Sequence, residues 1–324
     1  MSSLSFIKAP IEKEMQQFET VFRNSMKTKV PLLDIIMNFI IRRKGKQMRP
    51  MFVFLTAKML GVVTEKTFTA ATLIELLHTA TLIHDDVVDE AYERRNFFSI
   101  NALWKNKISI LVGDYLLSRG LLYAIDNDAI DVLRIVSNAV KEMSEGELLQ
   151  IEKARKLDIT EDIYFEVIKK KTATLIASCT ASAAVSTNCN DEMVKKMWQF
   201  GEFVGIAFQI KDDIFDYQKS SFIGKPTGND IKEKKMTLPL IHVLNNISEK
   251  EKNYILKTVK KHNKNQNKVN EVIQFVIDKG GIDYATKIMK SYRDRAIALL
   301  SDLPENDAKL SLIEMVNYTV DRNK

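Results

Sequence analysis

Leu82-Ile83-His84-Asp85-Asp86-Val87-Val88-Asp89 sets three carboxylates at positions i, i+1 and i+4 of a run that otherwise reads as a buried helix. The chain repeats the device much later, as Gln209-Ile210-Lys211-Asp212-Asp213-Ile214-Phe215-Asp216. On a helix, positions i and i+4 share a face, so each copy aims at least two carboxylates at one point. Acids on an apolar helix are expensive unless neutralised, and a divalent cation neutralises them. Two such clusters predict metal ions held from opposite walls of a cavity, waiting for a phosphate-rich ligand.

Working outward, apolar residues recur at helical spacing almost everywhere. They predict helices over about 5–27, 31–42, 50–60, 67–92, 107–125, 129–154, 160–186 and 191–217, with shorter ones from 237 onward. Pro31, Gly45, Pro50, Gly61, Asn127-Asp128 and the loop from Gly224 to Asn229 punctuate them. Only 11 Gly and 6 Pro stand among 324 residues, too few for a many-stranded protein or for the glycine loops of a dinucleotide fold. No composition shift divides the chain. The expectation is therefore all-α, one helical domain over 1–324.

Cys179 and Cys189 lack any zinc spacing and fit free thiols in a reducing, cytoplasmic setting. The first ten residues lack a signal-peptide apolar stretch, and no uninterrupted apolar run is long enough to span a bilayer. The net charge of +6 is modest, and the lysines between Lys257 and Lys268 read as solvated surface. Nucleic-acid binding would want a basic patch interleaved with aromatics, and none is present.

Other polar residues gather around the acids. His78 lies seven residues before Asp85, close to two turns, and so projects from a similar face. A lone buried histidine is more often a satisfied core residue, but this register favours a functional one. Arg94 and Arg95 follow the first cluster, and Lys46 and Arg49 sit in a short loop before a helix start. Lys169-Lys170-Lys171-Thr172 opens a stretch of small residues, and Lys225, Lys232, Lys234 and Lys235 follow the second cluster. Any one of these groups reads as surface. Together they are the fixed cations that an acidic cavity with metals and phosphates requires.

From about residue 40 to residue 242 the chain resembles the all-trans isoprenyl diphosphate synthases, or polyprenyl synthetases. The likeness rests on Gly45-Lys46-x-x-Arg49-Pro50, Glu75-x-x-His78, the first acidic motif with Arg94-Arg95, and Gly113-Asp114. Lys171-Thr172, Phe208-Gln209-x-x-Asp212-Asp213-x-x-Asp216, Gly224-Lys225-Pro226 and Lys235-x-Thr237-Leu238-Pro239 complete it in the family's order. The resemblance implies an all-α bundle around a deep central cavity, and a homodimer. It implies Mg²⁺ held by Asp85, Asp86 and Asp89 and by Asp212, Asp213 and Asp216. Arg94, Lys171, Thr172, Gln209, Lys225 and Lys235 would serve the allylic diphosphate. Lys46, Arg49, His78 and Arg95 would serve isopentenyl diphosphate. Two positions depart from the pattern: Asn96 and Lys234 stand where many members have Gly.

Ala80 and Thr81 are the fifth and fourth residues before Asp85, where short-chain members tend to hold a bulky aromatic that floors the cavity. Small residues here let a growing tail pass. The floor then lies deeper, at Leu77 or Leu73, or on the helix of Leu116 and Leu117. The expected product is a long polyprenyl diphosphate of the hexaprenyl to octaprenyl class, suited to a quinone, with loose membrane-surface contact at release. The alternatives are a short-chain farnesyl or geranylgeranyl synthase and a non-catalytic partner subunit. A terpene cyclase would have no need of Lys46, Arg49 and His78. The C-terminal segment with Arg322 and Lys324 reads as a frayed surface end, the alternative being a basic tail that closes over the site, as in some members of the resembled family.

Overall fold

A computed structural model describes residues 3–42, 45–88, 93–94, 97–218 and 228–322. The periodicity becomes helices: α1 Ser3–Lys8, α2 Glu12–Ser25, α3 Pro31–Arg42, α4 Met48–Leu60, α5 Glu65–Val88, α6 Ile100–Asp126, α7 Ile130–Lys156 and α8 Glu161–Ile168. They continue as α9 Thr174–Ser186, α10 Asp191–Tyr217, α11 Asn229–Lys232, α12 Leu238–Asn245, α13 Glu249–Lys261, α14 Gln266–Asp278, α15 Gly281–Ala298 and α16 Asp307–Asp321. Between α5 and α6, Glu93–Arg94 pairs antiparallel with Phe97–Phe98 over two residues each. The architecture is all-α, as the sequence predicts.

Two compact units divide these elements. The first comprises Met1–Val140, Ser178–Trp198 and Leu303–Leu312. Within it α5 packs along α6 and against α2 and α4. Met26, Ile36, Met37, Leu76, Ala80, Ile83, Val112 and Leu116 form one buried cluster there. The second comprises Lys141–Ala177, Gln199–Asp302 and Ile313–Lys324. Its core runs through Ile168, Ile210, Ile214, Tyr217, Leu240, Val272 and Met289.

Three helices differ from expectation. The one predicted over 5–27 is broken into α1 and α2 by a 3₁₀ turn at Ala9–Ile11, where Pro10 lacks the N–H that a continuous helix would use. α6 starts at Ile100 and not near 107, because the Ser99 hydroxyl caps it, accepting from Ala102 N–H at 3.1 Å. Lys105, at φ 68°, kinks it, and that break hid the first turns from a periodicity reading. The helix expected over 160–186 is interrupted by a five-residue π turn, Lys169–Ala173. Such turns are rare and frequently mark functional sites.

By length and composition alone, α6 could cross a membrane. Asp114 and Arg119 interrupt its apolar run, and the Arg119 guanidinium donates to the Ser25 carbonyl at 2.9 Å. Ile110, Leu111, Leu121, Leu122 and Ile125 leave it with an exposed apolar face.

Candidate active site

The second unit contains a cavity of about 110 Å³ lined by Lys171, Thr172, Gln209, Asp213, Asp230 and Lys235 among others. The π turn carries the first two and α10 the next two. Glycines seat that turn. A Cβ on Gly146 of α7 would lie 2.8 Å from the Lys171 nitrogen, and one on Gly205 of α10 would lie 2.4 Å from Ala173 Cα. Only glycine lets the two helices approach the widened turn so closely.

Hydrogen bonds then order the polar wall. Thr172 Oγ1 donates to Gln209 Oε1 at 2.8 Å, and Gln209 Nε2 donates to Asp213 Oδ1 at 2.8 Å. Tyr164 Oη donates to the other Asp213 oxygen at 2.6 Å. The Lys171 ammonium is ion-paired with Glu147 and lies 3.5 Å from Gln150 Oε1. Tyr164 and Glu147 escaped the sequence reading because nothing local marks them. Each sits on an ordinary helix and meets the motifs only through the fold.

The three acids of the second cluster have different partners. Asp212 is paired with Arg322, whose guanidinium stacks over Phe208 at 4.1 Å. The expected frayed end is thus a docked one: the Arg322 side chain is only 16% exposed. Asp216 accepts the backbone N–H groups of Asn229 at 2.9 Å and Asp230 at 3.0 Å, which starts α11. Asp213 is buried between Tyr164 and Gln209. This dispersal explains why no set of three or more His, Cys, Asp or Glu forms a ready metal nest among the described residues.

The electrostatics nevertheless fit a hard divalent cation. Burial pushes Asp213 up to about 7, opposed by its Tyr164 and Gln209 hydrogen bonds and reinforced by Asp212 and Asp216. Burial and the charges of Asp213 and Asp216 push Asp230 up to about 8. Burial also raises Asp216, and it keeps the Tyr164 phenol protonated as a donor. Packed carboxylate oxygens that repel one another are the donor set such an ion neutralises. Asp230 directly follows Gly228-Asn229 in the sequence, but only the fold brings its carboxylate to Asp213 and Asp216.

A pH dependence follows. Both folded-state values lie above the 3.8 of an ordinary aspartate. Their contribution to stability is therefore full below about pH 4 and lost as pH rises through about 7 to 8. In EDTA the thermal midpoint is expected to fall over that window, Asp230→Asn to flatten the fall, and Mg²⁺ at pH 8 to reverse it. A midpoint equally pH-dependent in Asp230→Asn would count against the coupling.

Lys235 ends the same wall, ion-paired with Glu233. Its N–H bonds the Asp230 carbonyl at 2.8 Å, and the Lys234 N–H bonds that of Ile231 at 3.1 Å. These are the two bonds of a Schellman motif closing α11, with Lys234 at φ 60°. The departure noted in the sequence thus falls where the backbone itself favours glycine. A left-handed L-residue costs roughly 1–2 kcal/mol, of which glycine returns only part because of its unfolded-state entropy. Lys234→Gly is expected to raise stability by about 0.5–1 kcal/mol in denaturant titration. A less stable variant would show that the Lys234 side chain supplies more than the strain removes.

In the first unit, the start of α4 and the length of α5 carry the other predicted residues. Arg49 binds Glu75 through two nitrogens, Nε to Oε2 at 3.0 Å and a terminal nitrogen to Oε1 at 3.4 Å. Glu75 and His78 are one turn apart on α5, so Arg49 and His78 come to the same region. Lys46 is exposed just ahead of α4, and Gln47 turns the chain into that helix at φ 55°. Asp85 is half-buried and Asp86 buried. Burial pushes the nearby Cys179 thiol up to about 12, so it is inert at neutral pH.

Ala80 is fully buried, and the Thr81 hydroxyl is turned to the His78 carbonyl at 2.9 Å. Leu77 and Leu73 lean on Gly120 of α6, where a Cβ would lie 3.2 and 3.3 Å from their methyls. Asp89, Arg95, Asn96 and Lys225, and the side chain of Arg94, lie outside the described residues.

A sequence profile described as polyprenyl synthetase matches residues 30–276. The chain belongs to that family. The matched span encloses the one over which the motifs resemble it. The synthase is 34% identical over 318 residues to the all-trans-nonaprenyl-diphosphate synthase (geranyl-diphosphate specific) of Rhodobacter capsulatus, covering 98% of this chain and 97% of that one. A solved decaprenyl diphosphate synthase from Rhodobacter capsulatus is 32% identical at TM-score 0.93, with 99% of each chain covered. A solved geranylgeranyl pyrophosphate synthase from Bacteroides thetaiotaomicron is 40% identical at TM-score 0.85, covering 99% of the synthase and 100% of that chain. The synthase is a trans-prenyltransferase of a metal-dependent family.

Proposed function

We propose that the synthase condenses isopentenyl diphosphate head-to-tail onto an allylic diphosphate with Mg²⁺, repeatedly, to a long all-trans polyprenyl diphosphate of the hexaprenyl to octaprenyl class. The observation that carries the reading is the cavity where Lys171, Thr172, Gln209, Asp213 and Lys235 line one space. Two fixed ammonium groups, a hydroxyl and an amide beside a buried carboxylate suit an anionic leaving group better than a neutral substrate.

Asp85, Asp86, Asp89, Asp212, Asp213 and Asp216 hold Mg²⁺ in this reading, and Arg94, Lys171, Thr172, Gln209, Lys225 and Lys235 hold the allylic diphosphate. Bound Mg²⁺ would neutralise charge on the departing diphosphate. Lys171 and Lys235 share that charge from positions set by Glu147 and Glu233. Lys46, Arg49, His78 and Arg95 orient isopentenyl diphosphate, with Arg49 held by Glu75. Its double bond attacks the allylic carbon as the carbon–oxygen bond breaks. The new cation then loses a proton to the released diphosphate, which regenerates an allylic diphosphate.

The small Ala80 and Thr81 support a long product, as does the nonaprenyl relative. A second reading, a geranylgeranyl synthase, is favoured by the 40% identity to the Bacteroides enzyme. We further propose one functional domain over 1–324, a cytoplasmic enzyme that supplies a quinone side chain, and loose membrane contact at product release. The exposed apolar face of α6 supports a homodimer, with a second copy as its cover. Light scattering tests that state, and a monomer at micromolar concentration would contradict it. The activity is tested by diphosphate release that requires both substrates and Mg²⁺. No release with any allylic primer would favour the non-catalytic partner subunit.

A further inference from the structure

Gly113-Asp114 belongs to the matching motifs, yet neither residue has work in metal or diphosphate binding. Both lie on α6, in the unit that holds the first acidic cluster. The structure sets them against His84, the residue immediately before Asp85. His84 Nε2 lies 3.3 Å from the Ile110 carbonyl oxygen and 3.4 Å from Asp114 Oδ1. Both oxygens accept, so the hydrogen is on Nε2 and the ring is oriented by its two acceptors.

Gly113 is what admits the ring. A Cβ there would stand 2.1 Å from His84 Nε2, 2.5 Å from Cδ2 and 2.8 Å from Cε1. Any side chain at 113 would evict the imidazole. A second tie comes from the start of α6, where the buried Asn101 donates to the Asp86 carbonyl at 3.4 Å. A ligating carboxylate tolerates only about half an ångström of misplacement. The turn carrying Asp85 and Asp86 is thus tied to α6 at His84 and again at Asp86.

We propose that His84, Gly113 and Asp114 are positioning residues that hold the Asp85-Asp86 turn in register for the metal–diphosphate complex. They touch neither substrate nor metal. The inference rests on the reading of Asp85 and Asp86 as metal ligands.

The test is Mn²⁺ binding to the full chain with inorganic diphosphate, followed by electron paramagnetic resonance, with circular dichroism as the fold control. His84→Ala and Gly113→Ala are each expected to weaken binding about tenfold, at the lower end of what outer partners of metal ligands contribute. The double variant is expected to be no worse than either single one. His84→Gln, whose amide can donate to the same two oxygens, is expected to stay within about threefold of the native protein. Native affinity in Gly113→Ala, or its recovery in the double variant, would overturn the proposal and leave His84 as packing. If Gly113→Ala does not fold, His84→Ala and Asp114→Ala decide, and native affinity in both overturns it. Asp85→Asn separates the two ideas. Unchanged binding there removes the metal-ligand reading itself, whereas loss there with native His84→Ala removes only the clamp.

Discussion

Asp85→Ala is expected to lower kcat/KM by about three orders of magnitude or more while helix content stays unchanged. The loss corresponds to roughly 4 kcal/mol of stabilisation of charge on the leaving diphosphate, within the range a bound cation supplies. The fold is expected to survive because Asp85 is half-buried and contributes no apolar packing. Alanine is also the better helix former at that position. Steady-state kinetics across a Mg²⁺ series, beside circular dichroism of the same sample, make the comparison. Near-normal Mg²⁺-dependent activity in a folded variant would remove Asp85 from the metal site.

Ala80→Phe is expected to shorten the product while condensation continues. Ala80 faces the cluster of Met37, Leu76, Ile83, Val112 and Leu116, one turn and a residue below Asp85. A phenyl ring there stands between the acidic turn and the deeper Leu77, Leu73 and Gly120 contact. Overpacking costs about 1–3 kcal/mol, which a domain of this size tolerates. The first elongations should therefore proceed, and later ones should stop for lack of room. An unchanged product distribution from a folded variant would show that the tail takes another path.

The sequence made the helices legible because their apolar faces repeat, and the acidic clusters legible because charge stands out on an apolar helix. The described acids of the two clusters lie on α5 and α10, whose registers are local properties. What it hid depends on contacts between elements. Tyr164 reaches Asp213 from a helix 49 positions upstream, and Asp230, in the first turn of α11, meets Asp213 and Asp216 only through the fold. The π turn at Lys169–Ala173 was hidden because helical periodicity continues through it, although Gly146 and Gly205 record the close approach in their own lack of a side chain. Lys234 departs visibly from the family's glycine. Its reason, a left-handed cap, needed the backbone.

The most direct test of long-chain synthesis is a product ladder. Purified protein is incubated with labelled isopentenyl diphosphate, farnesyl diphosphate and Mg²⁺, and the dephosphorylated products are separated by chain length. A long-chain synthase gives a ladder that passes geranylgeranyl and ends in the hexaprenyl to octaprenyl range. Products that stop at geranylgeranyl, whatever primer is supplied, would contradict it and establish the short-chain reading.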